Sequence, residues 1–256
     1  YFERETRSIK TVWKSVCEDA DVKGASPKTL RHTMLTWLAM QGVPKEQRSA
    51  LAGHVVTAFE SVFPHLTRVH DDTPITGRTI DSVTARGKHL LMAFSAPSAP
   101  AARPGRALVL RTHMRMNGSW HVYRPGEPWQ RPRRDMRIVV GTAGFVAVAF
   151  SVPVAEWLTG GDLRRHGELT TLGPDLLAPG FDAAEAARRL RERSGVEVAD
   201  ALLNQRVMAG VGNVYKSEVL FACRVSPFAR VETLTPAQID CLVSTARRFL
   251  QANVTE

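Results

Sequence analysis

The chain has 256 residues, 44% of them hydrophobic, and a formal net charge of +9. That length suits one large or two ordinary domains with a real core, and the charge favours a polyanionic partner such as nucleic acid or an acidic membrane surface. No apolar run is long enough to span a bilayer, and the charged start YFERETR does not read as a secretory signal, so an intracellular, cytoplasmic protein is expected. The three cysteines, Cys17, Cys223 and Cys241, are far apart and form no CxxC pair. Their spacing yields neither a zinc site nor a disulfide framework, and free thiols are expected.

Residues 9–19 place Ile9, Val12, Trp13 and Val16 at helical spacing. Ser26-Pro27 forms an N-cap and first-turn pair, followed by a helix through Leu30, Met34, Leu35 and Leu38 to Gly42. A third, short helix runs from Pro44 to near Gly53. Residues 1–54 thus read as a small all-helical segment. From there the character changes to short strands. They are expected at 80–85 and 89–94 around Arg86-Gly87-Lys88, at 107–112 and 119–123 around HMRMNG, and at 136–140 and 145–150 around Gly141. Residues 96–106 are a Pro/Ala-rich loop, and 124–134 a basic, Pro-rich one. This pattern predicts a β-sandwich or barrel.

After residue 178 the helical period returns. A helix is expected at 182–193, another at 201–208 with Leu202, Leu203 and Val207 on one side, and a third at 214–223. Gly210 and Gly212 break the chain between the last two, Asn213 stands at a natural N-cap position, and Val214, Val219, Leu220 and Phe221 should point inward. Thr235-Pro236 caps a final helix with Ile239, Leu242, Val243, Ala246, Phe249 and Leu250 inward. Two glycines ahead of a helix let backbone N–H groups converge where the helix dipole also favours a phosphate. An ordinary helical hairpin with a glycine turn fits the spacing equally well.

The residues themselves are more specific. LLNQRVMAGVGNVYKSEVLF resembles the helix–two-turn–helix of the formamidopyrimidine-DNA glycosylase and endonuclease VIII family. RGKHL, THMRMNGSW and TLGPDLL, in that order ahead of it, resemble the same family's N-terminal β-sandwich domain and the lead into its helical domain. The resemblance, over residues 50–256, implies an α+β fold with an antiparallel β-sandwich at 55–178 and a helix–two-turn–helix domain at 179–256. It implies that Lys88 contacts the phosphate at the lesion and assists strand cleavage, that His113 contacts phosphate, and that Met116 fills the gap left by a flipped base. The Gly210, Gly212 and Asn213 turn would grip phosphate beside the lesion. The implied partner is double-stranded DNA with a damaged base or abasic site, bound by a monomer.

The family's chemistry uses an N-terminal proline amine as nucleophile, the following glutamate as acid and base, and a zinc-finger arginine on the phosphate. Tyr1-Phe2-Glu3 does not match that start, and no four-cysteine finger is present. The expectation is therefore a glycosylase with apurinic-site lyase ancestry, impaired in catalysis and carrying no metal or other cofactor. A non-catalytic binder of damaged DNA is the alternative. Finally, SPKTLRHTMLTWLAMQGVPKEQRSALAGH resembles the C-terminal region of phage-type integrases, the tyrosine recombinases. That resemblance implies phosphate-holding roles for Arg31 and His54. It places Lys28 where a histidine is usual and Phe63 where the tyrosine nucleophile is usual, so residues 1–54 read as a recombinase-derived fragment unable to cut DNA.

Overall fold

A computed structural model describes residues 51–95, 107–115 and 117–252. The helices expected within 1–50, with Arg31 and Cys17, the loop at 96–106 and Met116 lie outside the described residues. The chain forms strands β1 (Val56–Ser61), β2 (Ile80–Arg86), β3 (His89–Phe94), β4 (Leu108–His113), β5 (Ser119–Tyr123), β6 (Met136–Thr142), β7 (Val146–Phe150) and β8 (Val154–Thr159). Helix α1 (Pro64–Asp72) sits between β1 and β2. The strands make two four-stranded antiparallel sheets, ordered β1-β6-β7-β5 and β2-β3-β4-β8.

Alternation along the strands sends Ile80, Leu90, Met92, Phe94, Leu108 and Leu110 from one sheet against Ile138, Val140, Ala147 and Ala149 from the other. This is the α+β fold with an antiparallel sandwich that the sequence predicts. β1, β8 and α1 are additions to the predicted elements. β8 ends sheet two by pairing with β4, Val109 opposite Leu158 and Arg111 opposite Glu156. Helix α1 starts at Phe63-Pro64, where the proline takes the first turn and needs no N–H.

The helical unit contains α4 (Ala183–Arg191), α5 (Val198–Leu203), α6 (Asn213–Ala222) and α7 (Pro236–Ala252), preceded by the short helices α2 (Gly160–Arg165) and α3 (Gly167–Thr170). Asp182 caps α4 by accepting the N–H of Glu185 at 2.9 Å. Leu190, Leu202, Val207, Met208, Val219, Leu242, Val243 and Leu250 form its own apolar core.

Four expectations are corrected. The helix expected over 201–208 ends at Leu203, because the chain turns at Asn204 and the side chains of Val207 and Met208 enter the core from the turn. Gly212, not Asn213, is the N-cap residue of α6; Asn213 is its first residue and its side chain makes no capping bond. Phe221 points outward and is 84% exposed, because α6 turns only its Tyr215, Val219 and Leu220 face to the core. Cys223 and Cys241, expected as thiols, are joined in a disulfide whose Cα atoms are 5.9 Å apart. Their 18-residue separation hid the pairing, since α6 and α7 pack side by side only once the hairpin has folded.

Candidate nucleic-acid interface

The β2–β3 connection has two residues, Gly87 and Lys88, between the paired Arg86 and His89. Such a tight hairpin needs a positive φ at its first central position, and Gly87 supplies it at +56°. The turn lifts Lys88 off the sheet edge. Its amine makes no hydrogen bond or ion pair with a described residue, and partial burial lowers its pKa to about 8. An amine desolvated without a counter-ion is a cation in wait for one.

Next to it, His89 on β3 faces His113 on β4, their rings 4.8 Å apart and edge to face. His89 is buried, and that burial, with the positive charge of Arg111, lowers its pKa to about 3. His113 is likewise held below the usual imidazole range, by burial first and then by the charges of Lys88, Arg111 and Arg115. The backbone N–H of Arg115 donates to Nδ1 of His113 at 3.1 Å, with Arg115 in the left-handed region at φ 49°. That bond makes Nδ1 the acceptor, so the neutral ring carries its proton on Nε2 and offers a donor there. Beneath the pair, Arg111 is 3% exposed and bridges Glu156 of β8 and Glu168 of α3, while His166 bonds Glu156 at 2.9 Å. Arg111 therefore fixes the end of the sandwich to the start of the helical unit.

The two-turn segment lies against the same hairpin. Gly210 has φ +117°, and a Cβ there would lie 2.8 Å from Leu250, so only glycine fits without displacement. Gln205 braces the segment from inside. Its carbonyl oxygen accepts the N–H of Gly210 at 3.0 Å, and its amide donates to the carbonyls of Leu203 and Val211 at 2.7 and 3.0 Å. Asn213 is exposed at the first position of α6, beside first-turn N–H groups that have no partner within the helix.

The strap at 171–177 locks the two turns together. Gly173 donates to the carbonyl of Gln205 at 2.8 Å, and Ala209 exchanges bonds with Pro174 and Leu176 at 2.9 and 3.2 Å. Asp175 then accepts the N–H of Gly87 at 2.7 Å with Oδ2 and that of Leu177 at 3.0 Å with Oδ1. A Cβ on Gly87 would meet Ala209 at 3.2 Å. The direct contacts across the junction are therefore those of Gly87, the residue before Lys88, with Asp175 of the strap and Ala209 of the two-turn segment. The sequence did not single out Asp175, Gln205, His89, Arg111, Glu156, His166 or Glu168. The signal it carried for three of them is that His89 lies in RGKHL, Asp175 in TLGPDLL and Gln205 in LLNQRV.

His54 lies elsewhere. Its carbonyl accepts the N–H of Ile80 at 2.9 Å and its ring packs 5.4 Å from that of Phe145, so it serves the sandwich. Phe63 packs against the sandwich core and its N–H bonds to Ser61 Oγ at 3.1 Å. Among the described residues no cluster of histidine, cysteine or carboxylates could hold a metal. Cys223 and Cys241 are joined in the disulfide, so neither is available as a metal ligand. No described helix is long and apolar enough to cross a membrane.

An antiparallel sandwich joined through a buried arginine to a helix–two-turn–helix unit defines a two-domain architecture. Two family models fit it: the formamidopyrimidine-DNA glycosylase N-terminal domain over residues 39–169, and the same enzyme's helix–two-turn–helix domain over 172–256. The chain belongs to the formamidopyrimidine-DNA glycosylase and endonuclease VIII family. It is 39% identical over 206 residues to "Probable endonuclease 8 2" of Streptomyces coelicolor, covering 80% of this chain and 68% of that protein. It is 34% identical to "Endonuclease 8 2" of Mycobacterium tuberculosis, covering 80% and 74%. The match to "DNA-(apurinic or apyrimidinic site) lyase Nei2" of Mycolicibacterium smegmatis is 36% identical and covers 73% of this chain and 66% of that one. The fold is that of the Lactococcus lactis formamidopyrimidine-DNA glycosylase solved with DNA containing an abasic site, with a TM-score of 0.68 at 21% identity, over 86% of this chain and 77% of that one. The N-terminal family match begins at residue 39, so residues 39–54, expected as part of a recombinase-derived fragment, fall within the glycosylase family match instead.

Proposed function

We propose that this chain grips duplex DNA at a damaged base or abasic site, in the cleft between sandwich and helical unit, as a base-excision protein of the glycosylase and apurinic-site lyase type. The observation that carries the reading is the Gly87–Asp175–Ala209 clamp. It holds the turn that carries Lys88, beside His113, against the two-turn segment, where Gly212 and Asn213 carry backbone donors while the Gly210 N–H is taken by Gln205; this supports a grip in which a cationic donor, a neutral imidazole donor and backbone amides share one phosphate. A backbone phosphate at that point meets charge from one side and aligned dipoles from the other. The solved relatives hold abasic and damaged DNA, and the mycobacterial relative carries the lyase name.

In this reading Lys88 assists cleavage by neutralising the phosphate next to the sugar, and Met116 enters the gap in the base stack. The attacking amine and the proton-shuttling carboxylate are assigned to none of the described residues. In this reading the chain acts as a monomer, and the bacterial relatives support a cytoplasmic, nucleoid-associated location. The test is binding to a duplex with a tetrahydrofuran abasic analogue against the same duplex undamaged. Tighter binding to the analogue, weakened by Lys88→Ala, is expected. Equal binding to both duplexes contradicts the proposal.

A further inference from the structure

Behind the Lys88 turn, the linker between the two units forms one wall of a cavity. It has a volume of about 560 Å³ and is lined by Thr170, Thr171, Leu172, Arg188, Arg189, Glu192, Arg193 and Arg206. Four guanidinium groups and one carboxylate face it. Two of the arginines are already committed. Arg188 pairs with Glu185 at 2.7 Å and with Glu192, and Arg189 pairs with Glu185 at 2.6 Å. Arg189 also donates to the carbonyl of Arg206 at 2.9 Å, which fixes the turn carrying Arg206 against α4. The side chains of Arg193 and Arg206 have no hydrogen-bond or ion-pair partner among the described residues.

Arginines near the C-terminal end of α4 also complement its dipole, and that alone would explain Arg188, Arg189 and Arg193. It does not explain Arg206, which belongs to the two-turn segment and gains nothing from α4. Convergence of unpaired guanidinium forks from separate elements on a concavity is the chemistry that binds phosphate. The lining Leu172 also lies within 3.5 Å of where a Cβ on Gly87 would sit, so the cavity adjoins the Lys88 turn without sharing its donors.

We propose that the cavity between the linker and α4 is a second phosphate-binding site, in which Arg193 and Arg206 hold one phosphate group within the field of Arg188 and Arg189. The phosphate comes either from the DNA backbone beyond the lesion or from a free polyphosphate. The first source rests on the function proposed above; the second does not.

The full chain is compared with Arg193→Gln/Arg206→Gln and with Arg193→Lys/Arg206→Lys. Salt titration of abasic-analogue duplex binding and thermal shift with inorganic pyrophosphate are the two readouts. If the phosphate is DNA's, the glutamine variant loses about one unit of the log K against log salt slope while the lysine variant keeps it. If it is free, the slope is unchanged, and pyrophosphate stabilises the parent and the lysine variant but not the glutamine variant. Unchanged slope together with equal pyrophosphate response in parent and glutamine variant overturns the proposal. Loss of all duplex binding by the parent itself would instead strike the function proposed above and leave the pyrophosphate arm standing. Circular dichroism checks that both variants fold.

Discussion

The two halves of the cleft solve one problem by opposite physical means. The sandwich side presents titratable groups stripped of water: Lys88 with its pKa lowered to about 8, His113 kept neutral, and a buried arginine beneath them. The helical side presents no charge at Gly210, Gly212 and Asn213, and relies on backbone N–H groups fixed by Gln205 and a glycine with φ +117°. A charged grip responds to salt and pH. A dipolar grip responds to whatever loosens its backbone.

The largest expected effect concerns how the dipolar half is held. The Cys223–Cys241 bond joins the end of α6 to α7 across 18 residues. Closing a loop of that length stabilises by about 3 kcal/mol in the chain-entropy account. Reduction, or Cys223→Ser with Cys241→Ser, should therefore lower stability in urea unfolding by about 3 kcal/mol. Lys88 and its hairpin, far from that bond in the chain, should keep their share of the salt dependence. An unfolding midpoint indifferent to reductant would remove the disulfide from the account.

A smaller effect is expected at the brace. Gln205→Leu removes three hydrogen bonds made by a half-buried side chain, and because water reaches the groups it leaves, the net cost should be about 1–2 kcal/mol. DNA affinity should fall while the salt slope stays at the parent value. A change in slope would mean the two grips are not separable.

The pH response belongs to the charged half alone. Lys88 ionises near 8 in the free protein, and a bound phosphate raises that value toward the ordinary lysine range. Below pH 8 the amine is charged with or without DNA, so affinity is flat. Above 8 binding must take up a proton, so affinity should fall by up to about tenfold per unit until the bound-state pKa is passed. Isothermal titration in two buffers of different ionisation enthalpy should detect the uptake at pH 9, and Lys88→Ala should abolish it.

In the sequence the turn of each half was legible and the contacts that join the halves were not. The hairpin around Gly87-Lys88 and the Gly210–Asn213 turn are local, and turn chemistry shows them directly. The strands flanking Lys88 and β5 follow from the same alternation. What holds the grips together is not local. Asp175 reaches Gly87 across 88 residues and Arg111 reaches Glu168 across 57, and each looks like a solvated charge until the chain folds. The helix expected through Met208 failed for a related reason: Val207 and Met208 satisfy the helical period, yet they enter the core from a turn shaped by Gln205. Phe221 misled by hydrophobicity alone.

The most direct test is a salt titration of binding to the abasic-analogue duplex by the parent, Lys88→Ala and Asn213→Ala. Lys88→Ala should lower affinity and reduce the slope of log K against log salt by about one unit. Asn213→Ala should lower affinity with the slope nearly unchanged, because the amide carries no charge. Both variants binding like the parent at every salt concentration would contradict the claim that this junction is where DNA is held.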